Sequence, residues 1–446
     1  MTFNDLNVNT FLRNAIEDLG LKEPTPIQVE AMPVVMSGQD VVGIAQTGTG
    51  KTFAYLLPIL RQLKFSKQKH PRVLIVVPTR ELVVQVVGEI EKLITYMSVR
   101  VKGAYGGVNM NTQKVELAEG MDILVATPGR LVDLALSRAV KLKSIKQLVI
   151  DEVDEMLNLG FRTQLNNILD LLPERRQNIL FSATLTREVD QLIEASFRQP
   201  KKIEIAASGT SADGIVQKLY QVPNFKTKTN LLKLLLATEK TWQKILIFAP
   251  TKKMADHLLE VLEPEFPEQA GVIHSNKSQN YRLRTVDKFD KGEHRILIAT
   301  DLIARGLDFQ GVTHVLNFDT PDEPENYIHR VGRTARANTE GMAITFVNEI
   351  EVTKELSYLK AIESLMGQKI EVLGLPEGLE ISTEITPDEI VTYKQKNANK
   401  GIDVLSKSQG AFHEKKLKNM KENRAQEKRV ARKIEKFNSK RRGGKK

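Results

Sequence analysis

The feature that most restricts this chain is a recurrence of short Val-, Ile- and Leu-rich runs that do not alternate with polar residues. In the first half they occupy residues 40–45, 73–78, 122–127, 147–151 and 178–182. A strand with one face in water shows polar residues at every second position; a strand covered on both faces does not. Segments of helical length lie between the runs, as at 80–96 and 162–171. That succession describes a doubly wound α/β domain built on a parallel sheet. It breaks at Ala206-Ala207-Ser208-Gly209-Thr210-Ser211-Ala212-Asp213-Gly214, where small and turn-favouring residues offer no apolar face and read as a linker. It restarts at 218–223, 244–250, 271–274, 295–301, 314–318 and 342–347, with helical stretches at 252–262 and 280–290. The expectation is two α/β domains, 1–207 and 218–373, joined by a linker at 208–217. A C-terminal extension, 374–446, loses the succession and ends in a basic, partly disordered tail from about residue 413. A length of 446 residues suits two or three domains, and a hydrophobic fraction of 41% is enough for buried cores.

Charge is unevenly placed. The chain carries a net +10, yet residues 413–446 hold 15 Lys+Arg and 4 Asp+Glu, a net of +11. Such a run attracts polyanions by releasing their counterions; it also reads as a solvated, solubilising tail. Val430, Ile434 and Phe437 fall on one helical face, so part of the tail has the pattern to fold on binding. There is no cysteine, which excludes a disulfide framework, thiol catalysis and cysteine-based zinc sites and fits a reducing cytosol. The first residues, Met1-Thr2-Phe3-Asn4-Asp5, lack a basic region followed by an apolar run, and no signal peptide is expected. The apolar runs fall well short of the roughly 20 residues that span a bilayer. A cytoplasmic protein without a membrane segment is the expectation.

Two segments carry chemistry. Ala45-Gln46-Thr47-Gly48-Thr49-Gly50-Lys51-Thr52 follows a buried strand and precedes an apolar-periodic helix, the setting a phosphate-binding loop requires. Gly48 and Gly50 let the backbone curl its N–H groups toward phosphate oxygens, and the helix N-terminus adds its positive end. Lys51 is placed to neutralise the outer phosphates of ATP, and the Thr52 hydroxyl to ligate Mg²⁺. Asp151 and Glu152 close the run 147–151, at the sheet edge where ligands bind. Asp151 is a hard oxygen ligand suited to Mg²⁺, and Glu152 is placed to deprotonate a water. The plainer alternatives are a glycine turn and an acidic turn after a strand.

Asp151-Glu152-Val153-Asp154, followed by Glu155-Met156-Leu157-Asn158-Leu159-Gly160-Phe161, resembles the acidic motif of the DEAD-box ATP-dependent RNA helicase family, bacterial type, with valine where alanine is usual. The resemblance spans roughly residues 3 to 370 and implies two tandem RecA-like domains. Gly20-Leu21-Lys22-Glu23-Pro24-Thr25-Pro26-Ile27-Gln28 is similar to the family's adenine-recognition segment, with Gln28 as the base reader. Phe3 fits the isolated upstream aromatic, and Leu21 stands where an aromatic is usual. The resemblance further implies RNA-backbone contacts at Pro78, Thr79, Arg80, Gly106, Gly107, Thr127, Pro128, Gly129 and Arg130. In the second domain it implies contacts at Gln279, Arg282 and Thr300, with the segment Phe248-Ala249-Pro250-Thr251 beside them. Asp154, Ser182, Thr184 and His329 are matched to coupling roles. Gly306 and Asp308 are matched to the nucleotide, and Arg333 and Arg336 to fingers that reach the γ-phosphate from the second domain. Ala335 stands where glycine is usual.

Few aromatics interleave with these basic groups, so stacking is a minor term and binding is expected to tolerate any sequence. Two functions fit. One is a monomeric RNA-dependent ATPase that locally unwinds short duplexes or remodels RNA–protein complexes. The other is an ATP-gated RNA clamp or scaffold with little strand separation. A DNA-translocating helicase is disfavoured by the glutamine segment and the form of the acidic motif. The resemblance suggests cold-stress or ribosome-assembly settings, with ribosome precursors or RNA-degradation machinery as partners.

Overall fold

The computed structural model describes residues 1–45, 48–205, 215–239, 241–304, 309, 311–334, 341–349, 352–384, 386 and 389. The first half contributes β1 (Val41–Ile44), β2 (Val73–Val76), β3 (Val101–Ala104), β4 (Ile123–Ala126), β5 (Gln147–Asp151), β6 (Gln177–Ser182) and β7 (Lys201–Glu204). The second contributes β8 (Ile215–Val222), β9 (Ile245–Phe248), β10 (Ala270–Ile273), β11 (Ile296–Ala299), β12 (His314–Asn317), β13 (Gly341–Asn348) and β14 (Glu371–Leu373). The sheet orders are β3-β4-β2-β5-β6-β1-β7 and β10-β11-β9-β12-β13-β8-β14. Shifted by seven, the second order is the first. Every recorded pairing is parallel. Two tandem parallel sheets are thus the fold, as the run pattern indicated, in keeping with the RecA-like pair that the resemblance implied.

The interior strands β2, β4, β5, β6, β9 and β11 are buried at every position, which is why their sequences lack alternation. Helices pack on both faces of each sheet, so the first lobe has one apolar cluster on either side, built around Val73, Ile75 and Phe181 and around Leu74, Val76 and Leu148. Local chemistry repeats between lobes. After β2 the chain reads Val77-Pro78-Thr79, and after β9 it reads Ala249-Pro250-Thr251. In both, proline ends the strand and the threonine hydroxyl caps a helix, accepting from Leu82 N–H at 3.3 Å and Met254 N–H at 3.1 Å.

Three strands were not foreseen: β3, β7 and β14. All three lie at sheet edges, where one side faces water and polar residues interrupt the apolar run, as in Lys201-Lys202-Ile203-Glu204. The limits of the second lobe also differ from the sequence reading. β8 begins at Ile215 and takes up residues 215–217, which were read as linker. Beyond residue 374 the chain packs back on the second lobe. Leu375 and Leu379 join its core, and Ser382 N–H donates to Thr227 Oγ1 at 3.0 Å. Glu389 is buried, and its Oε1 accepts from Phe225 N–H at 2.7 Å and from Asn348 Nδ2 at 3.0 Å. The basic tail, the middle of the linker, Gln46, Thr47, Gly306, Asp308, Ala335 and Arg336 lie outside the described residues. Among the described residues no helix is long and apolar enough to cross a membrane.

Candidate functional site

At the carboxyl edge of the first sheet, β1 leads into the glycine loop. Ala45 N–H is held by Ser182 O at 3.0 Å, which fixes the loop's entry against β6. Gly48 (φ 83°) and Gly50 (φ 84°) adopt the left-handed conformation, which only glycine reaches without strain. A side chain at Gly50 would also collide with Gln28 Nε2. Gly50 caps the helix Lys51–Gln62. Lys51 is 6% exposed, and its Nζ has no hydrogen-bond partner among the described residues. A buried, unmatched ammonium at a helix N-terminus is costly unless an anion meets it.

Gln28 is buried beside this loop. Its Oε1 accepts Thr25 N–H at 3.0 Å and its Nε2 donates to Gly50 O at 3.1 Å. Each end of the amide makes one bond inside the protein, which orients it and leaves one N–H and one lone pair to meet a base. Phe3 packs with Leu6, Val8 and Leu12 in the core and anchors the N-terminal segment; at 5% exposure it has little face to offer a base. Leu21 is 39% exposed.

The acidic segment follows β5. Asp151 is buried, with Oδ2 accepting from Tyr55 Oη at 3.0 Å and Oδ1 from Glu152 N–H at 3.0 Å. Burial raises its pKa, opposed by the nearby Lys51 charge. Burial likewise pushes the Tyr55 phenol up, so it remains a donor. Glu152 sits at φ 53°, ψ 51°, a left-handed conformation that costs a non-glycine residue about 1 kcal/mol or more. Its carboxyl is pushed up to about 7, first by burial and then by Asp151 and Asp154, against Lys51 and Arg333. Val153 points the other way, fully buried in the core. Asp154 Oδ2 gathers three donors: Ala183 N–H at 3.1 Å, Thr184 N–H at 3.0 Å and Thr184 Oγ1 at 3.0 Å. Ser182 Oγ donates to Thr184 O at 2.7 Å. The acidic segment and Ser182-Ala183-Thr184 are thus one hydrogen-bonded unit.

Beside the cleft, Pro78, Thr79, Gly106, Gly107, Thr127, Pro128 and Gly129 cluster at the ends of β2, β3 and β4. Arg80 lies over Gly106 and Gly107, at positions a side chain would fill. Thr127 caps the helix Pro128–Leu136, and nothing crowds Gly129. Arg130 is engaged inside the protein, donating to Gln113 Oε1 at 2.5 Å and Val108 O at 2.9 Å. It ties the residue after the glycine pair to the helix carrying Gln113 while staying partly exposed.

The second lobe shows a similar division. Thr300 is buried at the end of β11. Arg282, 3% exposed, pairs with the buried Glu81 of the first lobe at 2.5 Å and donates to Gln279 Oε1 at 2.5 Å. It bridges the lobes, so its guanidinium is engaged by protein. Arg330 is locked by Asp301 at 2.6 and 2.7 Å and lies over the Phe248 ring. That lock holds the helix carrying His329, whose carbonyl accepts from Arg333 Nε at 3.2 Å. Arg333 is buried, and its charge bears on Glu152 across the cleft. Tyr55 was not singled out from sequence, and Glu81 and Arg330 stand inside the motifs Pro78-Thr79-Arg80-Glu81-Leu82 and His329–Arg336 with no role of their own assigned. The one available signal was the spacing of Tyr55, one helical turn after Lys51.

The arrangement suits phosphoryl chemistry. An unmatched ammonium and a helix N-terminus fit the phosphates of ATP. For Mg²⁺, the Thr52 hydroxyl and the Asp151 carboxylate form an all-oxygen donor set of the right hardness. Among the described residues no group of three or more His, Cys, Asp or Glu side chains is built to hold a metal alone. Mg²⁺ needs none where substrate phosphates and waters complete its shell.

Comparison with known proteins agrees. The family described as "DEAD/DEAH box helicase" matches residues 25–192, and "Helicase conserved C-terminal domain" matches 226–338. The DEAD-box ATP-dependent RNA helicase CshA of Bacillus subtilis is 36% identical over 406 residues, covering 90% of this chain and 80% of that one. DEAD-box ATP-dependent RNA helicase 28 of Arabidopsis thaliana is 39% identical over 380 residues, covering 84% of this chain and 48% of that one. Among solved structures, Saccharomyces cerevisiae Dbp5 bound to RNA and ADP BeF3 superposes with a TM-score of 0.77 at 27% identity, covering 88% of this chain and 99% of that one. Mss116p bound to ssRNA and AMP-PNP gives 0.75 at 27% identity, covering 91% and 87%. Its sequence, its repeated sheet and its relatives place this chain in the DEAD-box family of ATP-dependent RNA helicases, enzymes that are RNA-dependent ATPases.

Proposed function

We propose that the chain hydrolyses ATP when RNA draws its two lobes together, and that closure locally separates short RNA duplexes or remodels RNA–protein complexes. One observation carries the reading: the lobes meet through the buried Glu81–Arg282 pair, which sets Arg333 of the second lobe near enough to Glu152 of the first for its charge to act on that carboxyl. A base and a finger on separate lobes make hydrolysis depend on closure.

Lys51 and the loop around Gly48 and Gly50 hold the outer phosphates, and Gln28 addresses the base. Glu152 accepts the proton of the attacking water. Arg333, with Arg336, offsets charge developing on the phosphoryl group, a role worth on the order of 10³–10⁵ in rate. Thr52 and Asp151 would hold Mg²⁺, which would supply positive charge toward the phosphate oxygens. Asp154 carries the state of the acidic segment to Ser182 and Thr184. RNA runs over Thr79, Arg80, Gly106, Gly107, Thr127 and Gly129, then Gln279 and Thr300, with Arg130 and Arg282 shaping that path from beneath. Contacts to the backbone let the 2′-OH distinguish RNA from DNA. The reading extends to a cytoplasmic monomer whose basic tail adds affinity for structured RNA.

The test is release of a labelled strand from a short RNA duplex with ATP, with a non-hydrolysable analogue and without nucleotide. Release that depends on ATP supports the motor; equal release without nucleotide sinks it. The buried Glu81–Arg282 pair on the lobe seam favours a second reading, a long-lived clamp. That reading gains if the analogue retains RNA without releasing the strand.

A further inference from the structure

We propose that Tyr55 is a positioning residue for the metal-binding carboxylate, holding Asp151 away from Lys51 so that each meets its own part of the incoming nucleotide. The proposal rests on the assignment of Thr52 and Asp151 to Mg²⁺.

Tyr55 is one turn beyond Lys51 on the helix Lys51–Gln62, so both side chains leave the same face. The ring is fully buried and packs against Phe181 with centroids 5.6 Å apart. Its hydroxyl donates to Asp151 Oδ2 at 3.0 Å, and the Thr52 side chain also interacts with the phenol. Glu152 N–H holds the other oxygen, Oδ1, at 3.0 Å. With both oxygens engaged, the carboxylate is fixed by two neutral donors. The nearest strong cation, Lys51 Nζ, forms no hydrogen bond with it and stays unmatched among the described residues. A buried carboxylate and ammonium left unconstrained would pair directly, and nucleotide binding would then have to break that pair. Phenylalanine at this position would fill the same space against Phe181 but could not hold the carboxylate.

The experiment measures affinity of the full chain for a fluorescent ADP in EDTA and across a series of MgCl₂ concentrations, for wild type, Tyr55→Phe and Asp151→Asn. Tyr55→Phe is expected to raise the Mg²⁺ concentration at half-effect about tenfold, the loss of one hydrogen bond to a charged group. An unchanged midpoint for Tyr55→Phe, while Asp151→Asn shifts it, overturns the role of Tyr55 alone. An unchanged midpoint for Asp151→Asn overturns the metal assignment itself. If Tyr55→Phe weakens ADP equally with and without Mg²⁺, the phenol serves packing and the proposal also fails. The double variant Tyr55→Phe, Asp151→Asn separates the cases again: its midpoint should match Asp151→Asn alone, and additive shifts count against the proposal.

Discussion

Glu152 makes the sharpest prediction, because its proton is shared between catalysis and folding. A carboxyl at about 7 is one-tenth ionised at pH 6 and nine-tenths ionised at pH 8. If it must be ionised to take a proton from water, kcat/KM for ATP at saturating RNA rises roughly ninefold over that span. Stability should move the opposite way. The folded pKa of about 7 lies above the ordinary glutamate value of 4.5, so the folded state binds more protons between the two. The group's stabilising contribution is full below about 4.5 and is lost as pH rises through about 7. A gap of roughly 2.5 units corresponds to about 3 kcal/mol at most, and partial exposure of the side chain cuts this to about 1–2 kcal/mol. Glu152→Gln keeps the shape and removes the titration. The assay pairs ATPase profiles from pH 6 to 8 with thermal midpoints of both proteins from pH 5 to 8. Wild type should lose stability relative to the Gln variant as pH rises. A flat ATPase profile together with a constant difference in midpoint would refute the assignment of Glu152 as the base with a raised pKa.

Other outcomes follow from the same geometry. Lys51→Ala removes the buried ammonium and should abolish turnover, whereas Arg333→Ala should leave ATP binding within a few-fold while slowing hydrolysis by 10³ or more; equal loss of binding in both, by nucleotide titration, argues against a finger. Glu81→Ala leaves Arg282 buried without its charge partner, a loss of about 3–5 kcal/mol in the contact between the lobes. RNA-stimulated ATPase should therefore fall, and the exchange Glu81→Arg with Arg282→Glu should recover part of it; no recovery means the pair does not support closure. Deleting 413–446 should weaken RNA affinity and flatten its salt dependence, and an unaltered salt slope shows that the tail does not touch RNA.

Much of the frame was readable because parallel interior strands need no polar faces, so β2, β5 and β9 appear as unbroken apolar runs. Edge strands such as Val101-Lys102-Gly103-Ala104 carry no such signature. The nucleotide groups were readable because loop, lysine and hydroxyl are adjacent in sequence. The basic groups were readable as charges but not as contacts. Arg130 meets Val108 and Arg282 meets Glu81, partners that only the folded chain brings together. Tyr55 reads as an ordinary core aromatic until Asp151 arrives beside it from β5. Glu81 reads as an acidic residue favouring a helix N-terminus, and only the second lobe reveals its other role.

The helices that follow β1 and β8 hold equivalent places in a duplicated frame and meet opposite ends. In one, the buried Lys51 has no hydrogen-bond partner among the described residues. The other has its first N–H closed by Glu389, and its Lys228 sits between Asp319 and Glu355. A carboxylate from late in the folded chain thus stands where a phosphate would lie in the twin lobe. Among the described residues, then, the duplicated frame offers its phosphate berth only at the Lys51 helix, and its twin position is already filled from within the chain.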